Sequence, residues 1–544
     1  MPQNSSWNPL VLARYLGSHV GSFFNPKNVS QLVSTDVRLV SSVAVLVIAA
    51  TWIFRSSLRR RYLTPGPPRH FLFGNLLQLP SRFVFKQFSA WTHEYGPIFS
   101  IDLLGQHIIV VGSNKTATDL LERRSHIYSN RTRLVMVDEL LTQSTYLAFA
   151  QYGDLWRRLR RASHTSFNSR AVKSFEPFQT ETAAHLALHM IGKPTAWEHN
   201  LEIFATSSMF SSVYGRSISP DSPYIKRSQQ HITKIVASAA PGAHLCDLVP
   251  PLKLIPTWLA PWKRDALAWH EEESRMFETL YSEVEDKKKA GQEHHGFMAE
   301  LIDGADKNGL TRKQLAWLAG SMVGAGADTT AVTLINFVLA MLHYPGAMRK
   351  AQAELDAVVG QGRPPTFDDM PNLPYIRAMV KETLRWRPIA PLAALHLSTE
   401  DDWYDGHFIP KGSTVIANIW DMNRDPAVYP DFDVYRPERF LDETGKVDIA
   451  PPDTHNMGHV SFGFGKRICI GLHFTNQTLF ISIAMMLWAL DFQPVLDKDS
   501  KPIIPSANVW HDEGLVVRPE AFGCRINPRF PEAQAILEAS LMGI

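Results

Sequence analysis

The chain has 544 residues, of which 45% are hydrophobic and 20% charged, an ordinary globular balance with material for a large core. A net charge of +2 exerts no global pull towards nucleic acid, so nucleic-acid binding is not expected. Cys246, Cys469 and Cys524 are too few and too far apart for a disulfide framework or a zinc cluster, which points to a reducing compartment for the catalytic part.

Residues 39–54 (LVSSVAVLVIAATWIF) are an uncharged apolar run of 16 residues between Arg38 and Arg55. A bilayer needs roughly 20, and the two arginine stems can snorkel to make up the difference. Arg55, Arg59, Arg60 and Arg61 follow on one side, which the positive-inside rule assigns to the cytosol. A transmembrane anchor is therefore expected over 39–54, with residues 1–38 lumenal and sequons at Asn4 and Asn28 on that side. Residues 55–68 read as a basic hinge stiffened by Thr64-Pro65-Gly66-Pro67-Pro68.

Residues 98–112 predict two strands turning at Gly105-Gln106, and 115–124 a short helix. In the basic helical turn Trp156 to Arg161, Trp156 and Arg160 are four apart and share a face. Taken alone, such a turn is a solvated basic face beside a buried tryptophan. Four prolines break the apolar stretch 247–262, which also holds two tryptophans; it is too broken for a long helix and reads as packing beneath a loop, while the family resemblance set out below implies a bilayer-touching loop there.

One long helix is expected over 314–343. Gly324 and Gly326 lie at its centre, and a helical glycine costs about 1 kcal/mol against alanine, so two of them ask for a reason. Close approach of a ligand is one reason and a tight helix crossing is the other. Ala325 and Thr329 share a face, so the Thr329 hydroxyl can reach the Ala325 carbonyl. Asp328 stands beside it. Glu382 and Arg385, three apart, make a same-face pair on a further helix. A strand follows over 413–420, and 497–519 reads as short strands and turns.

Phe462 to Gly471 (FGFGKRICIG) is the most distinctive stretch. Three glycines surround Cys469, and an apolar run, Leu472 to Leu490, follows as a buried helix. A cysteine just before a helix N-terminus is favoured as a thiolate by the unpaired N–H groups and the dipole. A lone thiolate on such a loop suits axial ligation of haem iron.

The loop matches F-x-x-G-x-R-x-C-x-G, and the chain resembles the cytochrome P450 family, most like its fungal microsomal members. W-x-x-x-R at Trp156 and Arg160, A-G-x-D-T at Ala325 to Thr329, E-x-x-R at Glu382 and Arg385, and P-E-R-F at Pro437 to Phe440 occur in the family's order. Tyr435 and Thr475 depart from it at positions that commonly hold Phe and Ala. The resemblance implies a mainly α fold with small β-sheets, a single catalytic domain over 69–544, and haem b between a long distal helix and the Cys469 loop. It implies Cys469 as the iron ligand, with Trp156, Arg160, His396 and Arg467 holding the haem propionates. Thr329 and Asp328 would supply protons, and Glu382, Arg385 and Arg439 would form a structural triad. Monooxygenation of a lipophilic small molecule by O2 is the implied reaction, in fungal secondary metabolism or xenobiotic oxidation. No G-x-G-x-x-G or Walker loop is present for a nucleotide, so electrons are expected from NADPH-cytochrome P450 reductase in the endoplasmic reticulum membrane. A haem-thiolate isomerase or dehydratase, and a non-enzymatic haem sensor, are the rival readings; both leave the Asp328–Thr329 pair without a use.

Overall fold

Helical segments dominate, and five of the longer helices open with proline in their first two positions, where the missing N–H leaves no bond unmade. The computed structural model describes residues 63–240, 242–292, 295–446 and 448–543, so the expected anchor and both sequons lie outside the described residues. Ten described helices have twelve residues or more. They are α1 (Val84–Tyr95), α2 (Asp154–Phe167), α3 (Glu176–Gly192), α4 (Trp197–Tyr214), α5 (Pro223–Ala239), α6 (Pro261–Lys289), α7 (Arg312–His343), α8 (Pro345–Val358), α9 (Pro374–Trp386) and α10 (Leu472–Ala489). Leu63 and Trp403–Phe408 belong to a separate small unit, in which Leu63 bridges Phe408 in parallel. The rest of the description concerns the large unit, Thr64–Asp402 with Ile409–Ile544.

The core is built around α7. Thr311 and Gln314 close a capping box at its start, satisfying two otherwise orphaned donors. By length and composition α7 could cross a membrane, yet 78% of its most apolar window is buried inside the protein. It packs on α4, α5 and α6. The two central glycines owe their place to these crossings. A Cβ on Gly326 would stand 2.6 Å from Met209 Sδ of α4, and one on Gly324 would stand 3.1 Å from His231 Cδ2 of α5. Helix packing thus replaces ligand approach as their reason.

Five strands, β1 (Ile98–Leu103), β2 (Gln106–Val111), β3 (Asn130–Arg131), β4 (His396–Leu397) and β5 (Thr414–Ala417), form one sheet in the order β1-β2-β5-β4-β3. Leu103 pairs with Gln106, so the hairpin loop is Leu104-Gly105, one residue earlier than the sequence predicts. Both loop residues have positive φ, as the twist of a two-residue hairpin requires. The sheet carries Arg131 and His396 on paired strands, Arg131 opposite His396. The proline-rich segment is fastened to β1 and is no free spacer. Ser100 N–H donates to Pro65 O at 2.7 Å, and Asn75 Nδ2 donates to Pro67 O at 3.2 Å while its Oδ1 accepts from Asp102 N–H.

The Glu382 and Arg385 side chains of α9 are wholly buried. Arg385 donates to both Glu382 oxygens, at 2.7 and 2.8 Å, and to the carbonyls of Asn423 and Phe432. Arg439 Nε and Arg436 N–H add donors to Glu382 Oε1 at 3.1 and 2.8 Å. The expected triad is therefore assembled, with three donors on Glu382 Oε1 and one on Oε2. Removing one partner of such a cluster strands a buried charge. Glu382→Gln should lower unfolding stability by about 3–5 kcal/mol. A fall in the urea midpoint at unchanged slope checks this; an unshifted midpoint contradicts it.

Candidate functional site: a thiol-bearing cavity

The loop before α10 is shaped by close contacts. Gly465 has φ +58°, and a Cβ there would fall 2.1 Å from Leu121 O, so no other residue fits. Gly465–Arg467 make a short helical turn, and Cys469 N–H donates to Phe462 O at 2.9 Å. The loop is anchored from behind through Asn423. Its Oδ1 accepts from Val460 N–H at 3.0 Å, its Nδ2 donates to Ser461 Oγ at 2.9 Å, and Ser461 Oγ donates to Leu384 O at 2.7 Å. Since Arg385 holds the Asn423 carbonyl, the buried charge cluster and the cysteine loop are one hydrogen-bonded assembly.

Cys469 opens into a cavity lined by Leu147, Trp156, Arg160, Met322, Ala325, Thr329, Ile389, Ala393, His396 and Arg467 among others. Its accessible face is that cavity, and protein surrounds the rest. Burial pushes the Cys469 thiol up, while the Gly471 N–H and the charge of Arg160 pull it down. The helix-end effect expected from the sequence is thus outweighed by desolvation in the protein alone.

Above the thiol lies α7. The Thr329 hydroxyl donates to Ala325 O at 2.9 Å, as its spacing predicts, and both residues line the cavity. Asp328 points elsewhere. It lines a neighbouring polar pocket with Glu202, Gln229 and Arg518, and accepts from Arg518 at 3.0 Å. Burial raises its carboxyl, opposed first by the charge of Arg518.

At the edge of the cavity four of the expected groups meet, with one that the sequence did not single out as a binding group. Arg467 donates to the carbonyls of Ser129, Leu147 and Ala150 and lies 4.2 Å over the Trp156 ring. Trp156 Nε1 donates to Leu147 O at 3.2 Å. His396 Nδ1 bonds Tyr128 O at 2.7 Å, and burial with the charge of Arg131 drives its pKa well below the usual value. It is neutral, with Nδ1–H donating and Nε2 a bare acceptor. Arg131 donates to Ala148 O and Ala394 O. It was missed because an arginine in Ser129-Asn130-Arg131-Thr132 carries no spacing signal.

Among the described residues, none of Arg131, Arg160 and Arg467 pairs with a carboxylate. Desolvation and mutual repulsion press Arg467 down to about 8, desolvation alone brings Arg131 down to about 9, and Arg160 falls too. Two buried guanidinium groups and a half-buried third, without a counter-ion, call for a dianion at this edge. With a thiol at the floor and an apolar interior, these residues fit a haem whose propionates meet the arginines and whose iron meets Cys469.

A fold and a site of this kind define a haem-thiolate protein. The family model described as "Cytochrome P450" matches residues 64–521. Cytochrome P450 monooxygenase 58 of Postia placenta is 44% identical over 93% of this chain and 96% of its own. Cytochrome P450 monooxygenase iboC of Amanita muscaria is 35% identical over 92% of this chain and 97% of its own. A solved zebra fish cytochrome P450, in a structure with abiraterone, shares the fold at TM-score 0.66 and 23% identity, over 82% of this chain and all of that one. The chain belongs to the cytochrome P450 family and is a haem-dependent monooxygenase.

The Asp328–Arg518 pair makes a pH prediction. In Arg518→Leu nothing opposes burial, so the Asp328 carboxyl moves further up. Between the unfolded carboxylate pKa, about 4, and the raised folded one, the folded variant holds a proton that the unfolded chain has lost. Its stability relative to the parent should therefore fall as pH rises from 4.5 to 7.5. Urea midpoints at both pH values check this, and a parallel pH dependence contradicts it.

Proposed function

We propose that this monooxygenase inserts one oxygen atom of O2 into a lipophilic small molecule, such as a fungal secondary metabolite or xenobiotic. The observation that carries the reading is that Cys469 and Thr329 line one cavity, apolar over much of its wall and cationic at one edge. Ile389, Ala390 and Ala393 wall it, so binding depends on shape and apolar contact. Bound haem supplies the redox chemistry, which the protein steers.

The chain's own residues hold, orient and deliver protons. Cys469 would hold the haem iron, and Arg131, Arg160 and Arg467 would neutralise its propionates, with the Trp156 ring packed against Arg467. His396 can donate to a carboxylate only through Nε2, so a neighbouring anion must draw a proton onto it. Thr329 holds a proton donor at the cavity, and Asp328, turned towards the polar pocket, exchanges protons with water there through its Arg518 pair. Asp328 thereby serves from outside the cavity, as a relay between solvent and Thr329.

The electron donor of this reading is NADPH-cytochrome P450 reductase. A concave basic surface lined by Arg157, Arg160, Arg161, His164 and Lys466 lies behind the cysteine loop and suits an acidic flavoprotein. Attachment to the endoplasmic reticulum membrane rests on the 39–54 run and on exposed apolar side chains in the proline-broken stretch. Leu254, Trp258 and Leu259 are 83%, 76% and 58% exposed.

Cys469→Ser should abolish the thiolate-type spectrum of the ferrous carbonyl complex; an unchanged spectrum rejects the ligand assignment. In Thr329→Ala, product formed per NADPH should fall by on the order of 10²-fold, with the electrons recovered as peroxide. Full coupling in that variant removes the proton role. Deleting residues 1–55 should move most of the protein to the supernatant of a membrane pellet. Complete retention would transfer the attachment to the exposed apolar stretch.

A further inference from the structure

A groove of about 330 Å³ lies between α3, α4 and the loop 217–220, and it shares no residue with the cavity at Cys469. Leu186, Ile203 and Phe204 make its buried floor. Two imidazoles of α3 also line it, His185 exposed and His189 half-buried. Neither ring is hydrogen-bonded to another of the described residues, and neither has a part in the chemistry at the thiol.

The spacing of the two rings is that of a chelate. Residues four apart on a helix share a face, with Cβ atoms about 5–6 Å apart. The ring centroids of His185 and His189 are 6.2 Å apart and their planes differ by 29°. Two histidines one turn apart can ligate a single ion. His185, being exposed, can turn about its side-chain torsions and close the remaining distance. Burial, with the charges of His185 and Lys193, lowers the His189 imidazole, which keeps it neutral and able to ligate. Glu181 stands one turn before His185 in the same groove and lends negative charge, its carboxylate accepting from Ser217 Oγ at 3.0 Å. Lys193, one turn beyond His189, opposes a cation, but it is exposed and screened. Among the described residues no third imidazole, thiol or carboxylate converges on the pair, so water completes the shell. Imidazole ligands favour a borderline ion such as Zn2+ over Mg2+ and Ca2+, which take oxygen.

We propose that His185 and His189 chelate one divalent transition-metal ion of the Zn2+ type in this groove. The ion braces the outer side of α3. The other side of α3 is tied to α10, where Gln179 Nε2 donates to Thr478 Oγ1 at 2.8 Å. Since α10 is the helix that follows Cys469, the site stiffens the scaffold of the cysteine loop and takes no part in catalysis. It does not depend on which molecule the monooxygenase oxidises.

The test is histidine protection in the holoenzyme. Diethylpyrocarbonate is applied with and without micromolar Zn2+, and modification is read residue by residue from peptide masses. Zn2+ should slow the modification of His185 and His189 together and leave the exposed His126 unchanged. Mg2+ should protect none of them. Equilibrium dialysis against Zn2+ then gives the affinity. His185→Gln and His189→Gln should each weaken the site about a hundredfold, and the double variant no further, because loss of either ring removes the chelate. Equal modification with and without Zn2+, protection of only one of the two rings, equal protection by Mg2+, or Zn2+ uptake unchanged in either variant overturns the proposal. The protection pattern is read on the parent protein, so it decides the matter even where a variant does not fold.

Discussion

The site depends on a carboxylate that never sees water. Glu382 draws Arg385, Arg439 and the Arg436 N–H onto one buried anion, and Arg385 spends its remaining donors on the carbonyls of Asn423 and Phe432. From Asn423 the bonding passes to Val460 and Ser461, and from Phe462 to the Cys469 N–H. A thiol on a glycine-rich loop would otherwise sample many positions, because glycine loses more conformational freedom on ordering than any other residue. The charge cluster takes no part in the chemistry. It fixes the sulfur within reach of a ligand that the opposite helix must also face.

The second constraint is an excess of positive charge. Arg131, Arg160 and Arg467 are brought together by β3, α2 and the cysteine loop, three segments far apart in the chain. Backbone carbonyls satisfy the donors of Arg131 and Arg467 but supply no net negative charge. Burial lowers the pKa of both, and for Arg467 the neighbouring arginines lower it further. A dianionic cofactor edge would supply the negative charge that the backbone carbonyls do not.

Much of this was legible in the linear chain. The α7 boundaries, the α10 helix, the Thr329–Ala325 bond and the Glu382–Arg385 pair all follow from short-range spacing, which three-to-four-residue periodicity encodes directly. What short-range spacing cannot encode is the partner from a distant element. Gly324 and Gly326 read equally as ligand contacts or crossing points, and only Met209 and His231, on other helices, decide for crossing. Asp328 and Thr329 are adjacent in sequence and so lie about 100° apart around the helix, given 3.6 residues per turn. One faces the cavity and the other faces Arg518.

The same division governs what the sequence by itself determined. The cysteine loop and the ordered motifs specify a haem-thiolate monooxygenase, because the chemistry needs particular residue types at fixed short spacing. The tertiary structure alone decided that the thiol is raised by burial, that His396 is neutral with its acceptor nitrogen free, and that Arg131 joins the cationic edge. Each of these is a matter of desolvation and of contacts between separate elements, and those quantities exist only once the chain has packed.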